Sequence, residues 1–528
     1  MMESEDTAGV ITAVLDEDVE SLRRCLSAGC LQGDIDRALC EAALKGNPTI
    51  VNVLLQNDKP KPNLRFTDTR NQRAIHCACI GGNVEVVKIL YRAGSAIHAA
   101  DELGQHPLHI AAKLGHVDVV RYLLSRSAHI NSSKTFEVHA TPLHLAIQAG
   151  QLGSVEALLD SGRANLNCRT SRQEGGHTPL HMAVMCKFLD GIRLLCDRGA
   201  DVNARNTAAG KSPLYLAASM EESEFTLCLL AAGADVDAKT TKGWTPLMNA
   251  SCSNRPENTL ALIEHGADVS FSDNDSGLNP VSAAVTAGAV HSLRVLLAAG
   301  ADPNTCTFTR EHPLLTAASL GNPQCIRLLL EAGADIDVRT QRDATVLHRC
   351  QRLKYGETRD EVVRALIEGG AKLNVYNMEG YTPLHNCVFQ TTLDNFSLST
   401  LKLIVMAGAR VDLGKQSNKK IGRSGLFRNS PLCWLAWNNY IEAAEYLVRC
   451  DWYLYDENWM YLPGKTREHE TFNERIRYIS NQPFSLTSCC RLAIREQLRL
   501  SSKDREILSR ISQLELPNPI KDFLSLRE

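Results

Sequence analysis

Between Thr178 and Ala204 the apolar positions take up a helical period twice. Leu180, Ala183 and Val184 share one face, and Ile192, Leu195 and Cys196 share another. Thr178 is placed to cap the first helix, and Pro179 suits its first turn, where a missing N–H costs nothing. Gly199 can close the second helix in a left-handed conformation. The stretch therefore predicts two short helices and a turn. A pair of this size cannot bury both apolar faces alone, so the pattern demands neighbours of the same kind.

Those neighbours recur along the chain. Aligned on Pro179 they fall at Ala38, Ala74, Pro107, Pro142, Pro213, Pro246, Pro280, Pro313, Val346, Pro383 and Pro431, mostly 33 to 37 residues apart, with one step of 48. Openings such as HPLH from His106 and endings such as GADPN from Gly300, at a period near 33, resemble the ankyrin repeat. The resemblance covers roughly residues 7–453, with twelve copies and a degenerate thirteenth near Gly9. It implies an all-α fold, an ankyrin-repeat solenoid of helix-turn-helix units with hairpin loops. The expected organisation is an amino-terminal cap over 1–35, the solenoid over 36–455, a connector over 456–482 and a terminal helical box over 483–528.

Composition narrows the class. A chain of 528 residues is too long for one compact core, which suits a solenoid. A net charge of −3 gives no pull toward nucleic acid, and no apolar run is long enough to span a bilayer. Eighteen cysteines, many on repeat helices, read as reduced thiols of a cytoplasmic or nuclear protein. The acidic start MMESEDTAGV lacks the form of a secretory signal.

Longer loops are expected at Ser132–His139 and Arg169–Gly176, around Tyr355 and Thr391, and at Gly414 to Gly425. The last carries Lys415, Lys419, Lys420 and Arg423, either a solvated loop or a contact for an acidic partner. Trp434, Trp437, Trp452 and Trp459, with Tyr453, Tyr455 and Tyr461, read as an aromatic carboxy-terminal cap, a ligand-binding aromatic site being the alternative. Residues 462–482 are polar and read as a connector with a short helix.

After Pro483 the period ends. Leu486, Cys490 and Ile494, four apart, form a narrow helical stripe with Ser485 as its cap. Such a stripe suits a hydrophobic groove on another protein, where Leu486 or Ile494 would contribute roughly 1.5–3 kcal/mol each. A second amphipathic segment follows, then Leu516, Pro517, Asn518, Pro519, Ile520, Phe523 and Leu524. The two patterns in this order resemble the SOCS box, and with the repeats before them the chain resembles the ankyrin repeat and SOCS box family. The resemblance implies that Leu486, Cys490 and Ile494 bind elongin B and elongin C. It implies that Leu516, Pro517, Pro519, Ile520, Phe523 and Leu524 select cullin-five with its RING partner, although Asn518 stands where the pattern has an aliphatic residue. The alternative is that the stripe packs only against the last repeat.

Catalytic chemistry is not visible. His109, His144, His181, His348 and His385 recur at the fourth position of the repeat openings, which points to hydrogen bonds that tie turns to helices rather than to catalysis. No cysteine or histidine cluster has zinc spacing, and no phosphate loop or nucleophile elbow occurs, so neither metal nor cofactor is expected. Asp-x-Asn endings, as at Asp201–Asn203 and Asp302–Asn304, are expected to close turns. The ankyrin resemblance adds Asn203 and Asn304 as hydroxylation candidates. It also places ligand contacts at hairpin tips, which singles out Arg172, Gln173, Thr240, Lys242 and Trp244 as substrate contacts. Trp244 stands where most copies have a small or polar residue, and could anchor a partner or fold over its own repeat. The expected function is a non-catalytic substrate receptor of an elongin and cullin-RING ubiquitin ligase, its protein client unnamed. The alternative is an ankyrin scaffold with a vestigial box.

Overall fold

The computed structural model of the chain describes residues 5–57, 60–68, 70–133, 139–273, 275–351, 353, 356–389, 396–411, 431–450 and 467–480. Regular structure among them is helical throughout. Thirteen helix pairs run from Glu5–Leu15 with Val19–Ala28 to Pro431–Trp437 with Ile441–Arg449, and one further helix spans Arg467–Ser480. The degenerate copy near Gly9 is thus a true pair. None of these helices is long and apolar enough to cross a membrane.

The described residues divide into two compact units. One comprises the chain up to Asn249 with Ala261–Ala267; the other comprises Ala250–Leu260 and the chain from Asp268 on. The period continues across the division at steps of 33 and 34, so spacing alone carries no mark of it.

The central pair follows from its residues. Thr178 is the extended N-cap of Pro179–Met185, and Gly199, at φ +81°, stands just beyond Leu189–Asp197. Leu180, Ala183, Val184, Ile192 and Leu195 are fully buried. Cys196, expected on the same apolar face, is only half-buried.

Within each unit the first helices pack along a column of small residues, up to Ala217 in the first and from Ala250 in the second. Ala42, Ala78, Ala111, Ala146, Ala183, Ala217, Ala250, Ala284 and Ala317 occupy one repeat position and none is exposed to solvent. A methyl group there lets consecutive first helices approach closely. Cys350 and Cys387 take over the position further on, also at 0% exposure. Burial pushes both thiols up, Cys387 to about 12, so they stay protonated and pack as small hydrophobes.

The insertion around Tyr355 lies between Val346–Cys350 and Gly356–Glu368, a second helix of 13 residues against nine in the preceding repeat. The stretch read as a connector with a short helix contains the 14-residue helix Arg467–Ser480, which packs on Pro431–Trp437 and Ile441–Arg449. Phe472 and Ile476, four apart, are buried, and Arg475 pairs with Glu445 at 2.6 Å. Two apolar residues in a charged run suffice to cap the last repeat. Trp434 stacks on Tyr440, whereas Trp452, Tyr453, Tyr455, Trp459, Tyr461 and the loop from Gly414 to Gly425 lie outside the described residues.

The small-residue column makes a prediction. Ala183→Leu should destabilise the chain by about 1–3 kcal/mol through overpacking, while Cys387→Ala should cost less, since it keeps a small side chain. Urea unfolding of the two variants against wild type measures the difference.

Candidate functional site

Among the described residues, hairpins are built around a side-chain oxygen that braces its own turn. Asp101 Oδ1 accepts the N–H groups of Leu103 and Gln105 at 3.0 and 2.8 Å. Thr240 does the same in its repeat: its N–H donates to Trp244 O at 2.9 Å, and its Oγ1 accepts the Trp244 N–H at 3.0 Å. These braces hold the tips in place and set the register of the surface between repeats.

Five histidines each tie a repeat to the hairpin that follows it. Thr178 N–H donates to His181 Nδ1 at 3.3 Å, with Thr178 Oγ1 at 2.8 Å from the same nitrogen. His181 Nε2 then donates to Lys211 O, in the following repeat, at 2.9 Å. A carbonyl can only accept, so the proton sits on Nε2 and Nδ1 is the acceptor. His109 to Ser132 O, His144 to His177 O and His348 to Tyr381 O repeat the bridge at 2.9, 3.3 and 2.9 Å. His76 does so as well, to Ala99 O at 3.0 Å, although its opening lacks the Thr-Pro pair that marks most of the others. Burial holds His109, His144, His181 and His348 down at about 4. They are neutral structural groups at neutral pH.

A second bridge was not read from the sequence. Asn131, Asn167, Asn203, Asn304 and Asn374 each accept, through Oδ1, a backbone N–H of the next repeat at 2.7–2.9 Å. The Asp of the Asp-x-Asn ending does close its own turn, with Asn203 N–H to Asp201 Oδ1 at 3.0 Å. The Asn reaches onward instead. Its recurrence at the repeat period is the signal that marks it. Asn203 is exposed and Asn304 half-buried, and both side chains are held by this contact.

The sequence-derived tip residues have different surroundings. Arg172 and Gln173 are exposed, on the short 3-10 turn Arg172–Glu174. Lys242 is exposed and Trp244 half-buried, whereas Thr240 is buried at 8% and occupied by its own turn. Leu486, Cys490, Ile494, Leu516, Pro517, Pro519, Ile520, Phe523 and Leu524 lie outside the described residues. Among the described residues no group of three or more His, Cys, Asp or Glu side chains could hold a metal ion.

Two concavities open in the second unit. One, of about 580 Å³, lies among the hairpins and is lined by residues including Arg310, Gln341, Arg342, Arg349 and Glu379. The other, of about 490 Å³, lies among the helix connections around Gly288, Gly321 and Glu361. The first also includes Thr309, Thr340, Glu311 and His348 in its lining, and the His348 imidazole is already engaged by Thr345 and by Tyr381 O.

Comparison with known proteins matches this architecture. The profile described as "Ankyrin repeats (3 copies)" matches residues 39–134, 133–206, 205–273, 281–377 and 314–415, and that of the SOCS box matches 482–525. The chain belongs to the ankyrin repeat and SOCS box family. It is 32% identical over 187 residues to the nuclear factor NF-kappa-B p105 subunit of Gallus gallus, covering 34% of this chain and 19% of that one. It is 31% identical over 181 residues to the B-cell lymphoma 3 protein homolog of Mus musculus, covering 33% and 40%. Among solved structures, the human ASB11 ankyrin repeat domain is 26% identical, covers 44% of this chain and 98% of that chain, and has a TM-score of 0.38. The chain spans only 11–19% of the length of the first curated relatives it matches.

The buried histidines predict an acid-labile stack. Their folded pKa, about 4, lies below the ordinary 6.5, so the unfolded chain takes up protons first as pH falls. Stability should be full above pH 6.5 and drain away between 6.5 and 4. Thermal unfolding followed by circular dichroism across that window measures the slope. His181→Gln should be less stable at pH 7 yet lose less on acidification.

Proposed function

We propose that the chain is a non-catalytic substrate receptor of a cullin-RING ubiquitin ligase. Its ankyrin repeats hold a client protein, and its SOCS box joins elongin B and elongin C with cullin-five and the RING partner. One observation carries the reading. The SOCS-box match at 482–525 encloses both the Leu486, Cys490, Ile494 stripe and the segment from Leu516 to Leu524, and follows repeats matched from 39 to 415. The histidines that could suggest catalysis are absorbed by the hairpin bridges.

The mechanism is positioning. Binding client and ligase to one chain turns an encounter between them into an intramolecular one and raises the effective concentration of a client lysine at the loaded ubiquitin-conjugating enzyme. The accessible tip residues Arg172, Gln173, Lys242 and Trp244 are client contacts of the first unit. The receptor acts in the cytoplasm or nucleus.

Leu486→Pro combined with Cys490→Phe should abolish co-purification of elongin B and elongin C while the thermal unfolding of the repeats stays unchanged. Elongin association that survives in this folded double variant removes the ligase assignment. A client bound stoichiometrically by wild type, with no ubiquitin-dependent loss, makes the chain a scaffold instead.

A further inference from the structure

The 580 Å³ groove of the second unit is bordered by the hairpins that precede Pro313, Val346 and Pro383. Two large apolar side chains stand on its outer hairpins at the same repeat position, Phe308 at 67% exposure and Met378 at 72%. A Cβ on Gly277 would come within 2.9 Å of Phe308 Cδ1, so the preceding tip leaves room for the ring to lie against it. The middle hairpin carries Gln341 and Arg342. Met378 N–H donates to Arg342 O at 3.0 Å, and Gln341 Nε2 to Thr309 O at 3.3 Å, which locks the three tips into one row. Exposed apolar side chains held in a row mark an interaction surface more than a chance exposure.

Arg310 is the second, independent observation. It sits at φ +57°, in the left-handed region. The same tip position is Gly104, Gly210, Gly243, Gly277 and Gly380 in other repeats, each at positive φ. Asn71, His139 and Asp343 also hold it, residue types that visit this conformation more readily than most. A long unbranched side chain gains nothing there from the fold: Arg310 is exposed and makes no ion pair among the described residues. Its side chain lines the groove. Strain kept at a binding surface, without compensation inside the fold, points to function.

Charge decides the occupant. Arg349 is matched by Glu311 at 3.3 Å, whereas Arg342, 79% exposed, reaches Glu379 only at 3.9 Å. So loose a surface pair is cheaply exchanged. Arg310 and Arg342 together thus offer guanidinium groups to a carboxylate from outside, which they can grip in a fork. Packed helices lie about 8–10 Å apart and an extended chain advances about 3.3 Å per residue, so each repeat spans about three residues of a bound strand.

We propose that this groove docks an extended client segment in which an Asp or Glu is flanked, about three residues to either side, by large apolar side chains. The acid meets Arg310 and Arg342, and the apolar residues cover Phe308 and Met378. This rests on the client-binding reading above and names the class of segment bound.

The test uses the full chain and a displayed library of random dodecapeptides. Enriched peptides should carry an acidic residue with apolar residues about three positions before and after it. Affinity of the most enriched peptide, read by fluorescence anisotropy, should fall about tenfold in Arg310→Gly and further in Arg310→Gly with Arg342→Ala. Glycine is the residue this turn favours, so Arg310→Gly should unfold at the same temperature or higher, which separates lost binding from lost fold. Failure to enrich any peptide, a consensus without an acid, or unchanged affinity in Arg310→Gly each overturns the proposal. Elongin association, measured on the same preparations, is independent. If elongins bind and no peptide does, the groove fails alone; if peptides bind and elongins do not, only the ligase reading fails.

Discussion

One imidazole does two things in the repeats of His76, His109, His144, His181 and His348. Through Nδ1 it accepts the N–H that opens its own helix, and through Nε2 it donates a hydrogen bond to the hairpin of the next repeat, as His181 does between Thr178 and Lys211. The remaining organisation follows from that pair of bonds. A hairpin has few apolar side chains to bury, so it is positioned by its polar links, and the tip surfaces inherit their alignment from them. The alanine column supplies the other half of the geometry, because only small side chains let consecutive first helices come near enough for the imidazole to span the gap. The bond requires a neutral ring, and burial keeps it so.

Recognition and recruitment make opposite demands on the chain. A client surface needs individuality from repeat to repeat, whereas stacking needs sameness. The chain resolves this by position: buried places are nearly invariant in kind, as in Ala42 to Ala317, while the tips vary among Leu103, Lys242, Phe308, Arg342 and Met378. The variable residues project from turns whose braces do not depend on them, so the surface can change without cost to the stack.

The repeats were legible because a period of 33 multiplies a weak local signal, and Thr178, Pro179 and Gly199 mark the ends of their helices by simple backbone chemistry. The histidines were legible as structural for the same reason of phase. What escaped was whatever depends on where a side chain ends up across a repeat boundary. Asn203 looks like a turn residue and serves as a bridge, and Thr240 looks like a tip contact and is buried in its own brace. A short helix was legible in 462–482, but not its full length nor its packing, because Phe472 and Ile476 are a small apolar minority in a charged segment. Arg310 could not be singled out before its φ was known, since an arginine in a polar loop is unremarked until the backbone proves left-handed.

The histidine bridge is also missing from a consecutive block. At its position the chain has Tyr215, Met248, Ser282 and Leu315, and the division between the two compact units falls within that block. Other side chains join repeats there: Asn249 Nδ2 donates to Tyr215 O at 2.7 Å in the first unit, and Asn279 Nδ2 donates to Thr305 Oγ1 in the second. An amide does not titrate, so acid that loosens the imidazole-linked repeats leaves these ties as they were.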